Sequence, residues 1–350
     1  MSNDLFALSA VEAIERFKNR TLSPLELMDA VIQRTAATEA AVGAFTQTYF
    51  EEAREAAKKA TEKFTAGKRT GPLEGLPVAI KEDKAVKGKL TSAGSKIFQN
   101  NVATADALPV DRIKKAGGII HARTNISELG TAGLTGNLLH PPTRCPWNTA
   151  YNSSGTSGGA AAALAAGSTV LANGSDYFGS IRVPASTCGV VGYKPARGRN
   201  AVSPYFNIDW YDHDGPLARF VADCALFQNA MSGQHPDDLF SLPGRTRVGG
   251  KETSVAGWRV ALSIDLGYVA IDPDVEANTR RAAETFHELG ATVEEVDLGW
   301  TAACLDAYRN HIAVVFGTWL EDYLPAHSHE MTDYAVAFAK TELSRSLLKS

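Results

Sequence analysis

Between Asn152 and Gly192 the chain reads NSSGTSGGAAAALAAGSTVLANGSDYFGSIRVPASTCGVVG, an apolar alanine-rich run held between two turns rich in glycine and hydroxyl side chains. Alanine is the strongest helix former because it loses no side-chain entropy, so Ala160 to Ala166 reads as a helix. Gly167 stands where a helix stop is expected. Thr169-Val170-Leu171-Ala172 is short enough for a buried strand. A second turn follows from Asn173 to Ser180, with Gly179 directly before Ser180. Turn, helix, strand and turn in this order can bring two hydroxyl-bearing turns back to one place.

Acyl transfer is the chemistry such a layout suggests. A serine on a tight glycine-containing turn exposes its Oγ, and backbone N–H groups just before it can converge on a developing oxyanion. A phosphate-binding or structural loop is the plainer reading. Neither G-x-x-x-x-G-K-[ST] nor G-x-G-x-x-G occurs in this stretch, which argues against phosphate.

The residues resemble the amidase signature family. Its hallmark is a G-G-S-S-G-G type turn, an alanine-rich helix, then G-T-D-x-G-G-S-I-R-x-P-A and a C-G-V-V-G-x-K-P tail. Here the second block is Gly174-Ser175-Asp176-Tyr177-Phe178-Gly179-Ser180-Ile181-Arg182-Val183-Pro184-Ala185, and the tail is Cys188 to Pro195. Upstream, Gly75-Leu76-Pro77-Val78-Ala79-Ile80-Lys81 matches G-x-P-x-x-x-K, and the likeness runs from about residue 5 to about residue 300. It implies an α/β fold of α/β/α layers, with a twisted mixed β-sheet covered by helices. It also implies a Ser–Ser–Lys triad without histidine: Ser180 as nucleophile, Lys81 as base, and Thr156 at the bridging position. The backbone N–H groups of Tyr177, Phe178 and Gly179 would form the oxyanion hole. Asp176 and Arg182 would lock the turn, and Gly130 and Thr131 belong to a loop that lines the acyl pocket. The bridging residue's preceding peptide bond is cis in the family. No metal or organic cofactor is implied.

Lysine acts as a base only when neutral, and its ordinary pKa is about 10.4. Burial with few carboxylates nearby lowers it. Lys81 follows Val78-Ala79-Ile80, so it would end a buried strand. The sequence also departs from the family pattern. Threonine replaces serine at 156, which leaves Ser157, Ser154 or Ser153 as other relay hydroxyls. Phe178 replaces a glycine and would be strained if that position needs positive φ. Glu82 and Asp83 follow the lysine, where the family commonly has a single Asp. The function implied is hydrolysis of an amide C–N bond through an acyl-enzyme, extending to esters or carbamates. Two rivals stay open: the glutaminase-type subunit of a tRNA-dependent amidotransferase, and a non-catalytic relic of the fold.

The rest of the chain fits one domain over 1–350: a helical layer in 1–70, a catalytic core in 71–300 and a helical end in 301–350. Ser9 to Glu12 and Ser23-Pro24-Leu25-Glu26 read as capping boxes. Helices are expected over 51–66 and 110–117, in a short turn at 127–129, from the G-P-x-A-R match at Gly215 to Arg219 on to about Met231, from Asp272 to Leu289, and from Thr301 on. Strands are expected at 119–123, 258–263 and 291–296. His121 reads as a core histidine, and His235 with Asp237 and Asp238 as too local for a metal site. An aromatic loop with Tyr205, Phe206, Trp210 and Tyr211 would shape a substrate entrance. A net charge of −4 argues against a general nucleic-acid binder. The four cysteines are far apart in sequence, as in a cytoplasmic protein with reduced thiols. No run of 18 apolar residues is present to span a membrane. Family chains run on for another hundred-odd residues, so the expectation is an exposed sheet edge or apolar face, with a homodimer across it or poor stability.

Overall fold

The computed structural model describes residues 4–204, 207, 209–244, 247–249 and 254–347. These divide into two compact units: the residues up to 249 together with 327–335, and the remainder.

In the first unit, α1 (Ala10–Lys18) starts where Ser9 accepts the Glu12 amide. α2 (Pro24–Val42) starts with a complete capping box between Ser23 and Glu26, with proline in the first turn, where its missing N–H costs nothing. β1 (Phe45–Thr48), α3 (Phe50–Thr65), β2 (Pro77–Lys81), α4 (Leu108–Lys115) and β3 (Ile119–Thr124) follow. A hairpin of β4 (Arg144–Cys145) and β5 (Asn148–Asn152) precedes α5 (Gly158–Ala166), β6 (Leu171–Asp176), α6 (Arg182–Cys188), β7 (Val191–Gly192), β8 (His213–Ala218) and α7 (Val221–Met231). Six strands make one sheet in the order β1-β3-β2-β6-β8-β7. β2 runs parallel to β3 and β6, while β1, β7 and β8 pair antiparallel, so the sheet is mixed.

Side chains alternate across a strand, and each face of the sheet has its own core. Val78, Ile80, Leu171 and Ala218 face the larger residues of α1, α2, α4 and α7, among them Phe17, Leu27, Val31, Ile113 and Phe227. Ala79, Ala172 and Leu217 face α5 and α6. On that side the strand residues are mostly small and α5 is all alanine and glycine but for Leu164, so helix and sheet approach closely. Gly167 ends α5 in the left-handed conformation, as the sequence predicts.

The strand after α5 differs from expectation. It begins at Leu171 and runs on to Asp176, so Asn173 to Asp176 are ladder rather than turn. Asn, Gly and Asp are poor strand formers, but here each pairs with β8, from Asn173 opposite Pro216 to Asp176 opposite His213. Pairing overrides local preference. The same ladder makes His213–Ala218 a strand, with the expected helix starting only at Val221.

In the second unit, β9 (Arg259–Leu262), α8 (Pro273–Glu288) and β10 (Thr292–Glu295) form a small parallel βαβ unit. The stretch from 301 is helical in pieces rather than continuous, with α9 (Ala303–Ile312) running into a π-helical turn, Ala313–Gly317. Among the described residues no helix is long and apolar enough to cross a membrane.

Candidate active site

Strand β2 carries Lys81 into the protein behind three fully buried residues, Val78, Ala79 and Ile80, and leaves it 1% exposed. Its amide donates to Asn173 Oδ1 at 2.9 Å. Its Nζ lies within hydrogen-bond distance of Thr156 Oγ1, at 2.7 Å, and of Ser175 Oγ, at 2.8 Å. Asp83 Oδ2 stands 3.8 Å from Nζ and accepts the Ser175 hydroxyl at 2.9 Å. Beyond it, Lys84 Nζ lies 2.9 Å from the buried Asp214 Oδ1. Burial lowers the Lys81 pKa below the ordinary lysine value, with Asp83 working in the opposite direction. The loop that holds Asp83 and Lys84 is fixed from β3. The buried Arg123 guanidinium donates to the carbonyls of Glu82 at 2.9 Å, Lys84 at 2.7 Å and Leu90 at 2.8 Å.

The first hydroxyl-rich turn lies against this lysine. The Gly155–Thr156 peptide bond is cis. A Cβ on residue 155 would stand 2.3 Å from the Leu134 carbonyl oxygen, so only glycine fits. Thr135 braces the turn, its hydroxyl donating to the Ser154 carbonyl at 2.8 Å and accepting the Gly158 amide at 3.1 Å. The two turns do meet: the Ser157 amide donates to the Ser180 carbonyl at 3.1 Å. Of the four hydroxyls weighed as relays, only that of Thr156 reaches Lys81. The Ser157 hydroxyl donates to the Ser175 carbonyl at 3.3 Å, and Ser154 Oγ accepts from Thr187 in α6 at 2.9 Å. Ser153 Oγ lies 3.4 Å from the Ser154 carbonyl.

Asp176 organises the second turn. Its buried carboxylate accepts the amides of Gly179 at 2.7 Å and Ile181 at 3.1 Å, and it takes a two-point grip from the Arg182 guanidinium at 3.0 and 2.9 Å. Burial works against its charge, but these donors hold its pKa below the usual carboxylate value. Two expectations change here. The Gly179 amide is engaged by Asp176, so it does not point at a reacting carbonyl. The positive φ falls on Gly179, at 109°, and not on Phe178, which is 55% exposed. Gly179→Ala is therefore expected to lose about 1–3 kcal/mol of stability, read from chemical denaturation. A Cβ there would also meet Val183 Cγ2 at 3.0 Å.

Neither Gly130 nor Thr131 makes a hydrogen bond to Lys81, Thr156 or Ser180 among the described residues, and the Thr131 hydroxyl donates to the Glu128 carbonyl at 2.8 Å. Leu134 and Thr135, a few residues on, are the part of that loop that touches the bridging turn. His121 is a core residue between the rings of Phe45 and Phe50, with Nε2 2.9 Å from Thr169 Oγ1 and its pKa pushed down to about 3 by burial. Of the aromatic loop, Tyr205 and Phe206 lie outside the described residues, while Trp210 and Tyr211 are exposed. The Tyr211 ring lies 6.2 Å from that of Tyr177, which puts this loop beside the second turn.

The family model for Amidase matches residues 26–348. This chain belongs to the amidase family. An acylamidase of Rhodococcus erythropolis is 39% identical over 302 residues, covering 85% of this chain and 63% of the relative. A glutamyl-tRNA(Gln) amidotransferase subunit from Carboxydothermus hydrogenoformans is 36% identical over 310 residues, covering 87% of this chain and 64% of the relative. The chain thus spans somewhat less than two thirds of these relatives. The crystal structure of a bacterial aryl acylamidase of the amidase signature enzymes superposes with a TM-score of 0.88 at 26% identity, covering 97% of this chain and 75% of that one.

Three residues of this candidate site escaped the reading of motifs: Arg123, Lys84 and Asp214. Arg123 had a usable signal. It is a charged residue inside an apolar strand, and a buried guanidinium needs several acceptors. Lys84 and Asp214 carried none, because one lies in a polar turn and the other in a segment read as leading into a helix.

Proposed function

We propose that this chain hydrolyses the C–N bond of an amide through an acyl-enzyme on Ser180. One observation supports this above the others: a wholly buried lysine bonded at 2.7 Å to the Thr156 hydroxyl, on a turn tied by backbone to the Ser180 turn. Ser180 Oγ attacks the carbonyl carbon. Its proton passes through Thr156 to the neutral Nζ of Lys81, and the new oxyanion is held by the N–H groups of Tyr177 and Phe178. The same proton returns through Thr156 to the departing nitrogen, which must be protonated to leave. Water then repeats the sequence and frees the acid. Among the described residues no hydrogen bond yet joins Ser180 Oγ to Thr156, and bound substrate would close that gap; catalytic hydrogen bonds are often long without substrate.

Phe178 stands exposed in the Ser180 turn and the exposed Tyr211 lies against Tyr177 beside it, which favours a substrate with an apolar or aryl group, whether amide, ester or carbamate. A second reading, glutamine hydrolysis inside an amidotransferase, draws support from the amidotransferase relative at 36% identity. The test is intact mass spectrometry after incubation with a fluorophosphonate probe. One adduct is expected on the wild type and none on Ser180→Ala. A folded wild-type protein that stays unlabelled would sink the proposal. Turnover of an acylanilide with none of glutamine separates the two readings.

A further inference from the structure

Lys81 Nζ has two hydroxyl neighbours at almost equal distance, and only one of them belongs to the turn bonded to Ser180. An amine base that turned its lone pair to the other would be idle. Ser175 Oγ, the idle neighbour, is 2.8 Å from Nζ and 2.9 Å from Asp83 Oδ2. An ionised carboxylate can only accept, so the proton between Ser175 and Asp83 is the serine's own. A hydroxyl has one proton. Once it is given to Asp83, Ser175 has only lone pairs to offer, and the bond from Lys81 must use an N–H. A neutral amine carries two N–H bonds and one lone pair. With an N–H committed to Ser175, the lone pair is free for Thr156 Oγ1 at 2.7 Å.

We propose that Ser175 and Asp83 are positioning residues that fix the polarity of the Lys81 amine, keeping its lone pair on Thr156 and off Ser175; this rests on the reading of Lys81 as the base. Burial works against the charge on Asp83; when Lys81 is neutral, the Lys84 ammonium 4.0 Å from Asp83 Oδ2 and the hydroxyl of Ser175 still favour the ionised acceptor. Asp83 is fixed in turn by its loop, through Arg123 on the carbonyls either side of it.

The consequence is a specific pattern of double-variant behaviour. In Asp83→Ala the Ser175 hydroxyl turns its proton onto the Lys81 lone pair and blocks it. In Ser175→Ala the anchor is lost but nothing blocks. The readout is the limiting rate of fluorophosphonate adduct formation on Ser180, taken on the high-pH plateau so that altered proton affinity of Lys81 does not enter. Asp83→Ala is expected to be about 10- to 100-fold slower than wild type, the scale of one misplaced buried hydrogen bond. Adding Ser175→Ala to it is expected to restore rate to that of Ser175→Ala alone, with the probe's half-saturating concentration unchanged throughout. Losses that multiply in the double variant would overturn the inference, as would an Asp83→Ala protein within twofold of wild type. If Asp83→Ala does not fold, Ser175→Thr decides: it keeps a hydroxyl and should label within about threefold of wild type, well above Ser175→Ala. Equal rates for the two would overturn the inference. A wild-type protein that takes no label removes the proposed function itself, whereas a labelled wild type with multiplying losses removes only this polarity role.

Discussion

Lys81→Met is expected to slow acylation of Ser180 by about 100- to 10,000-fold, the range for loss of a positioned general base. Methionine is close in volume and uncharged, so the buried site is refilled without leaving a cation behind. On the proposed route Thr156 loses its acceptor for the relayed proton, while Ser175 keeps its bond to Asp83. The pH profile should change in a defined way. Only neutral Lys81 accepts a proton, so the wild-type rate rises with pH as the ammonium deprotonates. Burial lowers that pKa, so the rise lies below the ordinary lysine range. Lys81→Met should be slow and show no such rise. The rate of probe adduct formation between pH 6 and 10 checks both, and an unchanged rising limb in the variant would remove Lys81 from the role.

Asp176→Ala carries the second large effect, and it falls on stability first. The carboxylate is 0% exposed and gathers the amides of Gly179 and Ile181 together with the Arg182 guanidinium. Removing one partner of a buried pair leaves the others unpaired, at a cost of about 3–5 kcal/mol. Because Arg182 itself is about half exposed, water re-solvates it and the loss should fall toward the lower end. The Ser180 turn loses its organiser as well, so probe labelling should fall with stability. The sign with pH follows from the lowered pKa. The stabilisation is fully present above the unfolded value of 3.8 and is lost as pH falls through the lower folded value. Denaturation of wild type and variant at pH 7 and pH 3 measures this. A gap that does not narrow at pH 3 would show that the ionised carboxylate is not the stabilising form.

Helices announced themselves through signals local in the chain: Ser23 and Glu26 for a start, Gly167 for a stop, the alanine run between. Lys81, Thr156 and Ser180 stood out as candidates for the same reason, since each sits in a motif with a fixed surround. Asn173 to Asp176 could not, because their strand conformation comes from β8, some forty residues on. The Gly179 amide was misassigned for a similar reason. Its direction is set by where the Asp176 carboxylate lies, and a list of residue types has no directions in it. The positive φ weighed at Phe178 falls on its neighbour Gly179, where glycine adopts it without strain, for the same cause. Asp83 and Ser175 were legible as letters, but the joint role proposed for them depends on which of two hydroxyls gives its proton away.

The path from Thr156 to Ser180 goes out along α5 and returns along β6. A helix advances about 1.5 Å per residue and a strand about 3.3 Å, so the outward leg of nine residues is about 14 Å and the return leg of six about 20 Å. The two turns meet only because these legs, with the link between them, close a circuit. One residue more in α5 would swing its end by about 100° and shift the return leg in its pairing with β8. The segment therefore works as a ruler. The side chains of α5 can drift, provided they stay small on the packed face, and only those at the far end of β6, from Asn173 to Asp176, reach Lys81 or the second turn; the length of the segment decides whether the two turns meet.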